Sequence, residues 1–144
     1  MQKIETMEKT YAILPYRIKA AIIDGIVMIA FMYGISELFG LFEQVPNVAR
    51  AIAAIFIFLL YDPLFTSIYG GTIGHSFSGI EVKRQEDYTK NISFPAAIAR
   101  FLCKAFLGWI SLLTVTGNEK KQALHDLLVK SVVLEETKEK EANA

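Results

Sequence analysis

Three charged residues interrupt otherwise uncharged stretches of the chain, and they are the first candidates for chemistry. Arg17 and Asp24 lie seven positions apart near the start of one stretch, and Asp62 lies within another. Seven residues bring a helix back to within about 20° of the same face and about 10.5 Å along its axis. Arg17 and Asp24 therefore share a face but are too far apart for an ordinary ion pair. Charges in such surroundings are costly, so they need partners or a function.

Each of the two acids has a local feature that indicates how it is used. Ala21 and Gly25 form a small-xxx-small pair beside Asp24, which permits close helix contact and predicts that Asp24 faces protein rather than lipid. Asp62 precedes Pro63, and a proline removes one backbone hydrogen bond from a helix. The freed carbonyl and the carboxylate together could bind a cation or a proton. The alternative is a kinked helix with a structurally satisfied acid.

The remaining reactive residues form no recognisable catalytic or metal site. The chain has two histidines, His75 and His125, and the glycine-rich segment 70–76 lacks the lysine and the spacing of a phosphate-binding loop. No nucleophile–base pair is visible. The single cysteine, Cys103, excludes an internal disulfide. We therefore expect no enzyme activity, no metal and no cofactor.

The elements that carry these charges are apolar enough to cross a membrane. Fifteen basic residues balance fifteen acidic ones, so net charge gives no argument for nucleic-acid binding. Stretches 20–36 and 51–69 contain one charge each, and each approaches the about 20 residues that a membrane-spanning helix needs. Two fully buried core helices are the alternative, but so short a chain lacks the elements to cover them. We predict transmembrane helices over about 16–39 and 48–69, with the lipid bilayer as the surrounding partner.

A third apolar segment, 96–116, is weaker because Arg100 and Lys104 share one helical face within it. If both side chains snorkel, the segment just spans the membrane. Alternatively it is a re-entrant or interfacial helix bent near Gly108. Basic residues concentrate in the N-terminal flank, in the 70–97 link and in the tail, which by the positive-inside rule all belong in the cytoplasm. Two full spans and a re-entrant segment satisfy this distribution, so we favour the re-entrant form.

Short segments outside the apolar stretches predict small additional elements. Residues 78–84 alternate like a strand, and the β-branched run 131–134 can pair with them if both lie on the cytoplasmic side. Asn118 is a suitable cap for an interfacial amphipathic helix beginning just after it. We therefore expect an all-α membrane protein with a small strand pair, forming one domain over 1–135 with a charged tail over 136–144.

Four motifs in this order resemble the RDD family of bacterial and archaeal membrane proteins. They are YRIKAAIIDGIV, YDPLFTSIYGGTIGHSFSGIEV, AIARF and QALHDLLVKSVVL, and they cover about residues 12–134. The family takes its name from one arginine and two aspartates, which the resemblance assigns to Arg17, Asp24 and Asp126. The chain departs from the family pattern at His75, where lysine is often found.

The resemblance implies a small multi-pass protein of the bacterial or archaeal cytoplasmic membrane, and the basic N-terminal flank predicts a cytoplasmic N-terminus. Transport has been suggested for the family, and cation–proton antiport is attributed to at least one member. Family membership does not fix a function, so this support is associational.

Two function classes follow from the residues themselves. In a transporter, Asp24 and Asp62 would form a polar site for a proton or a small cation. Two or three spans are too few to enclose a pathway, so transport requires a homo-oligomer or a larger membrane complex. In a non-catalytic accessory or assembly subunit, the charges would bind the spans of a partner. Arg17 and Asp126 can form an ion pair at the cytoplasmic interface, since the third segment can return the chain to the start of the first helix. The alternative is that each contacts lipid headgroups.

Overall fold

Two long helices, α1 (Leu14–Gly40) and α2 (Asn47–Tyr69), dominate a computed structural model of the chain, which describes residues 10–136. Together with Phe94–Val115 they are the three segments within residues 10–136 that are long and apolar enough to cross a membrane. At most 22% of the most apolar window of each is buried within the chain. Their apolar surfaces are therefore open to lipid or to other chains, as in an integral membrane protein. Residues 137–144 of the expected charged tail lie outside the described part.

A sharp turn follows α2. The helix ends at Gly70, whose φ of +81° is a left-handed conformation that favours glycine. A five-residue helix, α3 (Ile73–Phe77), comes next, and the hydroxyl of Thr72 accepts a hydrogen bond from the backbone N–H of His75 at its start. The strand β1 (Ile80–Arg84) then runs away from this turn.

The third apolar segment is broken near its middle. It consists of α4 (Phe94–Leu107) and a 3-10 helix (Gly108–Val115). Gly108 has a φ of +54°, a conformation that a helix cannot continue through. The bend expected near this glycine is therefore present.

A strand pair closes the fold. After α5 (Leu124–Val129), the strand β2 (Ser131–Glu135) pairs antiparallel with β1, with Val82 opposite Val133. The backbone N–H of Ala12 donates to the carbonyl oxygen of Val133 at 2.9 Å, which attaches the start of α1 to the same strands. We call β1, β2 and this attached segment the strand layer.

The helix α5 differs from its prediction. It begins at Leu124 rather than just after Asn118. The intervening Lys121 has a φ of +49°, which excludes it from a right-handed helix. The backbone N–H of Ala123 donates to the carboxylate of Asp126, so a side chain within the helix caps it instead of Asn118.

Both ends of the third apolar segment meet the strand layer. Ile92, just before α4, belongs to the buried cluster that includes residues of α1 and of both strands. At the other end, the hydroxyl of Thr114 donates to the carbonyl of Gln122, whose side-chain amide donates to the carbonyl of Ser131 in β2. The segment thus leaves the strand layer and returns to it. The buried cluster consists of Ala12, Ala20, Ile80, Val82, Ile92, Ala97 and Val133.

Candidate functional site

Asp126 lies at the centre of a set of buried ion pairs. Its side chain is fully buried, and its Oδ2 lies 2.7 Å from Nη2 of Arg17. Its Oδ1 lies 3.0 Å from Nε of Arg100. The backbone N–H of Ala123 and the hydroxyl of Ser131 donate to the two oxygens as well. The expected pair between Arg17 and Asp126 is present, and it joins α1 to α5 while Arg100 adds α4.

The second carboxylate of the set is Asp62. Its Oδ2 lies 2.6 Å from Nζ of Lys104, and its Oδ1 lies 3.9 Å from Nη1 of Arg100 and accepts a hydrogen bond from Thr66. This geometry favours the structurally satisfied acid over an open cation site. Arg100 and Lys104 point inward to acids rather than snorkelling towards the membrane surface. We refer to Arg17, Asp62, Arg100, Lys104 and Asp126 as the charge network.

Burial and the nearby arginines shift the pKa values of Asp126 and of His125 beside it. Burial opposes the ionisation of Asp126, but Arg17 and Arg100 outweigh it and hold the pKa of that carboxyl well below its usual range. Burial also lowers the pKa of His125 to about 3, although the adjacent Asp126 acts in the opposite direction. His125 is therefore neutral at pH 7, and its Nδ1 lies 2.8 Å from the hydroxyl of Ser111.

Asp24 is held by a different kind of partner. Its Oδ1 accepts hydrogen bonds from the hydroxyl of Tyr61 and from the backbone N–H of Gly74, both at 2.8 Å. Its Oδ2 accepts one from the hydroxyl of Thr72 at 2.6 Å. All three donors are neutral, and within residues 10–136 no basic side chain forms an ion pair with Asp24. As expected, this carboxylate faces protein rather than lipid.

The approach of α3 to α1 depends on the absence of a side chain at Gly74. A Cβ at this position would lie 2.2 Å from the carbonyl oxygen of Ala20 and 2.6 Å from the carboxyl carbon of Asp24. Glycine is thus the residue that lets a backbone N–H reach Asp24. The hydroxyl of Tyr61 also accepts a hydrogen bond from the backbone N–H of Ile73, which fixes α3 against α2.

A cavity of about 230 Å³ lies between α1 and the bend of the third segment. One wall carries Arg17 and Asp24, and the facing wall carries Lys104 on α4 and Ser111 on the 3-10 helix. The Nε of Arg17 is buried and has no hydrogen-bond partner within the described residues. The lining consists of Arg17, Ala20, Ala21, Asp24, His75, Lys104, Gly108, Trp109, Ser111, Leu112 and His125.

The structure divides the four predicted site residues between two places. Arg17 and Asp126 are in direct contact, and Asp62 joins them through Arg100. Asp24 lies apart, bonded to neutral donors. Within the described residues, no group of three or more His, Cys, Asp and Glu side chains is placed to hold a metal ion.

Sequence reasoning missed several of the partners. Thr72 and Gly74 fall in a segment that reads only as a turn, and their roles depend on α3 folding back onto α1. A usable signal was present for Arg100 and Lys104, because two cations on one face of an apolar segment require acids nearby. Their partners, Asp126 and Asp62, are acids that the sequence had already singled out.

The comparison with protein families agrees with the four motifs. A family model for the RDD family matches residues 11–130, so the chain belongs to that family. The family prediction made from the motifs is thereby confirmed. Neither a curated protein nor a solved structure matches the chain.

Proposed function

We propose that this RDD-family membrane protein moves protons or small cations across the membrane as an oligomer, with Asp24 as the acid that binds the ion. The observation that carries the proposal is the environment of Asp24. It is a half-buried carboxylate of an apolar helix, it lines the cavity, and its three partners are neutral donors. A carboxylate held in this way can take up a proton or a small cation without first losing an ion-pair partner. The pairing of Asp62 with Lys104 gives that acid a supporting role instead.

In this proposal the strand layer is cytoplasmic and the third segment is re-entrant. Both ends of that segment join the strand layer, which supports a hairpin that enters and leaves on one side. Its helix α4 has 14 residues, or about 21 Å of length, against about 30 Å of hydrocarbon core. The strand layer and the links and turns beside it contain several lysines, as the positive-inside rule, which counts basic residues and not net charge, requires for cytoplasmic segments. They carry Lys83, Lys90, Lys120, Lys121 and Lys130.

The oligomer in this proposal rests on the large apolar surface of α1 that a single chain does not bury. Only 6% of the most apolar window of α1 is buried within the chain. Two spans and a hairpin cannot surround a path for an ion, so walls from further copies are needed to complete one. Gly25 on this exposed helix, where an added Cβ would meet nothing within 4 Å, permits close contact with a neighbouring helix.

Ion flux through purified protein in liposomes tests the proposal. A trapped pH-sensitive dye reports proton movement after an external pulse of Na⁺, K⁺ or Li⁺. We expect flux from the unmodified protein and a loss of at least about tenfold for Asp24→Asn, equivalent to about 1.4 kcal/mol or more in the barrier. Asparagine keeps the size of the side chain and one acceptor oxygen but replaces the other, which accepts from Thr72. Flux is therefore compared at equal amounts of folded oligomer, checked by thermal unfolding and oligomer size.

Glu37→Gln is the matched control, because it removes an exposed carboxylate from the same helix. Its flux should equal that of the unmodified protein. Equal flux in Asp24→Asn and the unmodified protein would remove Asp24 from the mechanism. Absence of flux together with stoichiometric co-purification of a larger membrane complex would favour the accessory-subunit function instead.

A further inference from the structure

We propose that the cavity between α1 and the bend of the third segment binds the phosphate headgroup of an anionic phospholipid. This site uses Arg17, Lys104 and Ser111 of the cavity lining and does not depend on ion transport at Asp24. Three observations lead to it: an excess of positive charge in the charge network, an unpaired guanidinium nitrogen, and an apolar rim that opens to the outside of the chain.

The charge network contains more cations than acids. Arg17, Arg100 and Lys104 supply three positive charges, while Asp62 and Asp126 supply two negative ones. The two guanidinium side chains are 4% and 2% exposed, so water screens them poorly. The third cation, Lys104, is 32% exposed, so water screens it in part, and the network carries one positive charge more than its acids balance. Burial lowers the pKa of His75 and of His125 to about 3, so neither histidine adds positive charge at pH 7.

Asp24 does not supply the missing anion. Its oxygens are taken up by donors from α2 and α3, and within the described residues it forms no ion pair with Arg17, Arg100 or Lys104. Asp24 therefore leaves the positive charge of Arg17 and Lys104 in the cavity lining without a further ion-pair partner.

The unpaired donors identify where an anion would bind. Nη2 of Arg17 is occupied by Asp126 and by the carbonyl oxygen of Lys121 at 2.8 Å. Arg17 lines the same cavity, and its Nε is buried and has no hydrogen-bond partner within the described residues. Nη1 of Arg100, a residue that does not line the cavity, also lacks a hydrogen bond there. Phosphate oxygens are strong acceptors for guanidinium N–H groups. Lys104 and the hydroxyl of Ser111 line the facing wall and supply further donors.

The rim of the cavity favours an amphiphile over a free anion. Ala21, Trp109 and Leu112 contribute apolar surface to the lining, and the Trp109 side chain is 61% exposed. Arg17 lies in the first turn of α1, beside the strand layer, at the level where headgroups lie in the membrane placement proposed above. A lipid can therefore place its phosphate against Arg17 while its glycerol and acyl chains follow the apolar rim outwards.

Lipid retention by the purified, delipidated full-length chain tests the site. Native mass spectrometry would compare phosphatidylglycerol with phosphatidylcholine of the same acyl chains, with inorganic phosphate as a competitor in a separate arm. We expect the unmodified protein to retain one phosphatidylglycerol with at least about tenfold preference, since the difference is one net charge at a desolvated site. Millimolar phosphate should not displace it.

Two cavity-filling variants leave the ion pairs untouched. Ala21→Leu and Leu112→Phe should each abolish the preference, and each should unfold at the same temperature as the unmodified protein in lipid-free detergent. Ala30→Leu is the matched control, because it makes the same change at an exposed position of α1 outside the cavity. Phosphatidylglycerol should raise the unfolding temperature of the unmodified protein and of the control, and of neither filled variant.

Three results would overturn the inference. They are equal retention of the two lipids, an unchanged preference in both filled variants, and complete displacement of the lipid by inorganic phosphate. The last result would reassign the cavity to a free anion. None of these readouts depends on ion flux, so the lipid site and the role of Asp24 stand or fall separately.

Discussion

Removing Asp126 should damage the protein more than removing its partner Arg17, although the two form one ion pair. Asp126→Asn leaves Arg17 and Arg100 buried beside each other without the carboxylate that both contact at 2.7 and 3.0 Å. Losing one partner of a buried ion pair typically costs about 3–5 kcal/mol. Arg17→Met, by contrast, leaves Asp126 paired with Arg100 and brings the charge network to two cations and two acids. We expect that change to cost about 1.5–3 kcal/mol, the value of a hydrogen bond to a charged group.

Reversible unfolding in mixed detergent micelles measures both free energies of unfolding, at pH 7 and without anionic lipid. The double variant completes a mutant cycle, and we expect it to be less damaged than the sum of the single variants by about 0.5–3 kcal/mol, because Arg17 is no longer left unpaired. If Arg17→Met is as destabilising as Asp126→Asn, or if the two effects add, Asp126 is not the residue on which the three elements depend. A simple exchange, Arg17→Asp with Asp126→Arg, should not rescue stability, because it places a new guanidinium group against that of Arg100.

Three further predictions follow from other parts of the structure. Gly74→Ala should lower the free energy of unfolding by about 1–3 kcal/mol, since its Cβ would clash with backbone, whereas Gly34→Ala in α1 has open space and should not lower it. His125→Gln should flatten the loss of stability between pH 6.5 and about 3, measured by unfolding in detergent. With Cys103 replaced by alanine, single cysteines at Glu43 and Glu119 should react with an impermeant maleimide from opposite sides of the membrane.

The sign of the pH effect follows from where the proton binds. The pKa of His125 is lowered by burial, so below pH 6.5 the unfolded chain binds a proton that the folded chain refuses. Stability therefore falls as the pH falls, by at most about 1.4 kcal/mol per pH unit for this one group. A variant with an unchanged pH profile would contradict the neutral, buried state of His125. Equal damage from Gly74→Ala and Gly34→Ala would contradict the tight contact of α3. Labelling of both cysteines from one side would contradict the re-entrant hairpin.

The predictable parts of this fold are those that local patterns determine. An uncharged run long enough to cross a bilayer identified α1 and α2, and alternation identified β1, because each signal is complete within its own segment. The start of α5 was predicted wrongly, because Asn118 is a good cap by type but Lys121 adopts a positive φ after it. Nothing within 118–124 announces that conformation, which belongs to the loop whose carbonyl oxygen accepts from Arg17.

The candidate site was predictable only in its charges and not in its contacts. Apolar surroundings made Arg17, Asp24 and Asp62 conspicuous, and the family motifs added Asp126. The different environments of the acids depend on tertiary packing: α4 brings cations to Asp62, whereas α3 brings a glycine N–H and a hydroxyl to Asp24. A single sequence contains both sets of residues but does not say which meets which.

The position of Asp126 at the centre of the charge network also sets an order of events during biosynthesis. A ribosome makes Arg17 first, Arg100 much later and Asp126 last, so both guanidinium groups are already in place while their shared carboxylate is still missing. Until α5 is made, α1 and α4 carry unneutralised charge at their meeting point, and their assembly remains unfavourable. We therefore expect the membrane domain to assemble only after α5 has been made. A nascent chain that stops before α5 keeps Arg17 and Arg100 without their shared carboxylate.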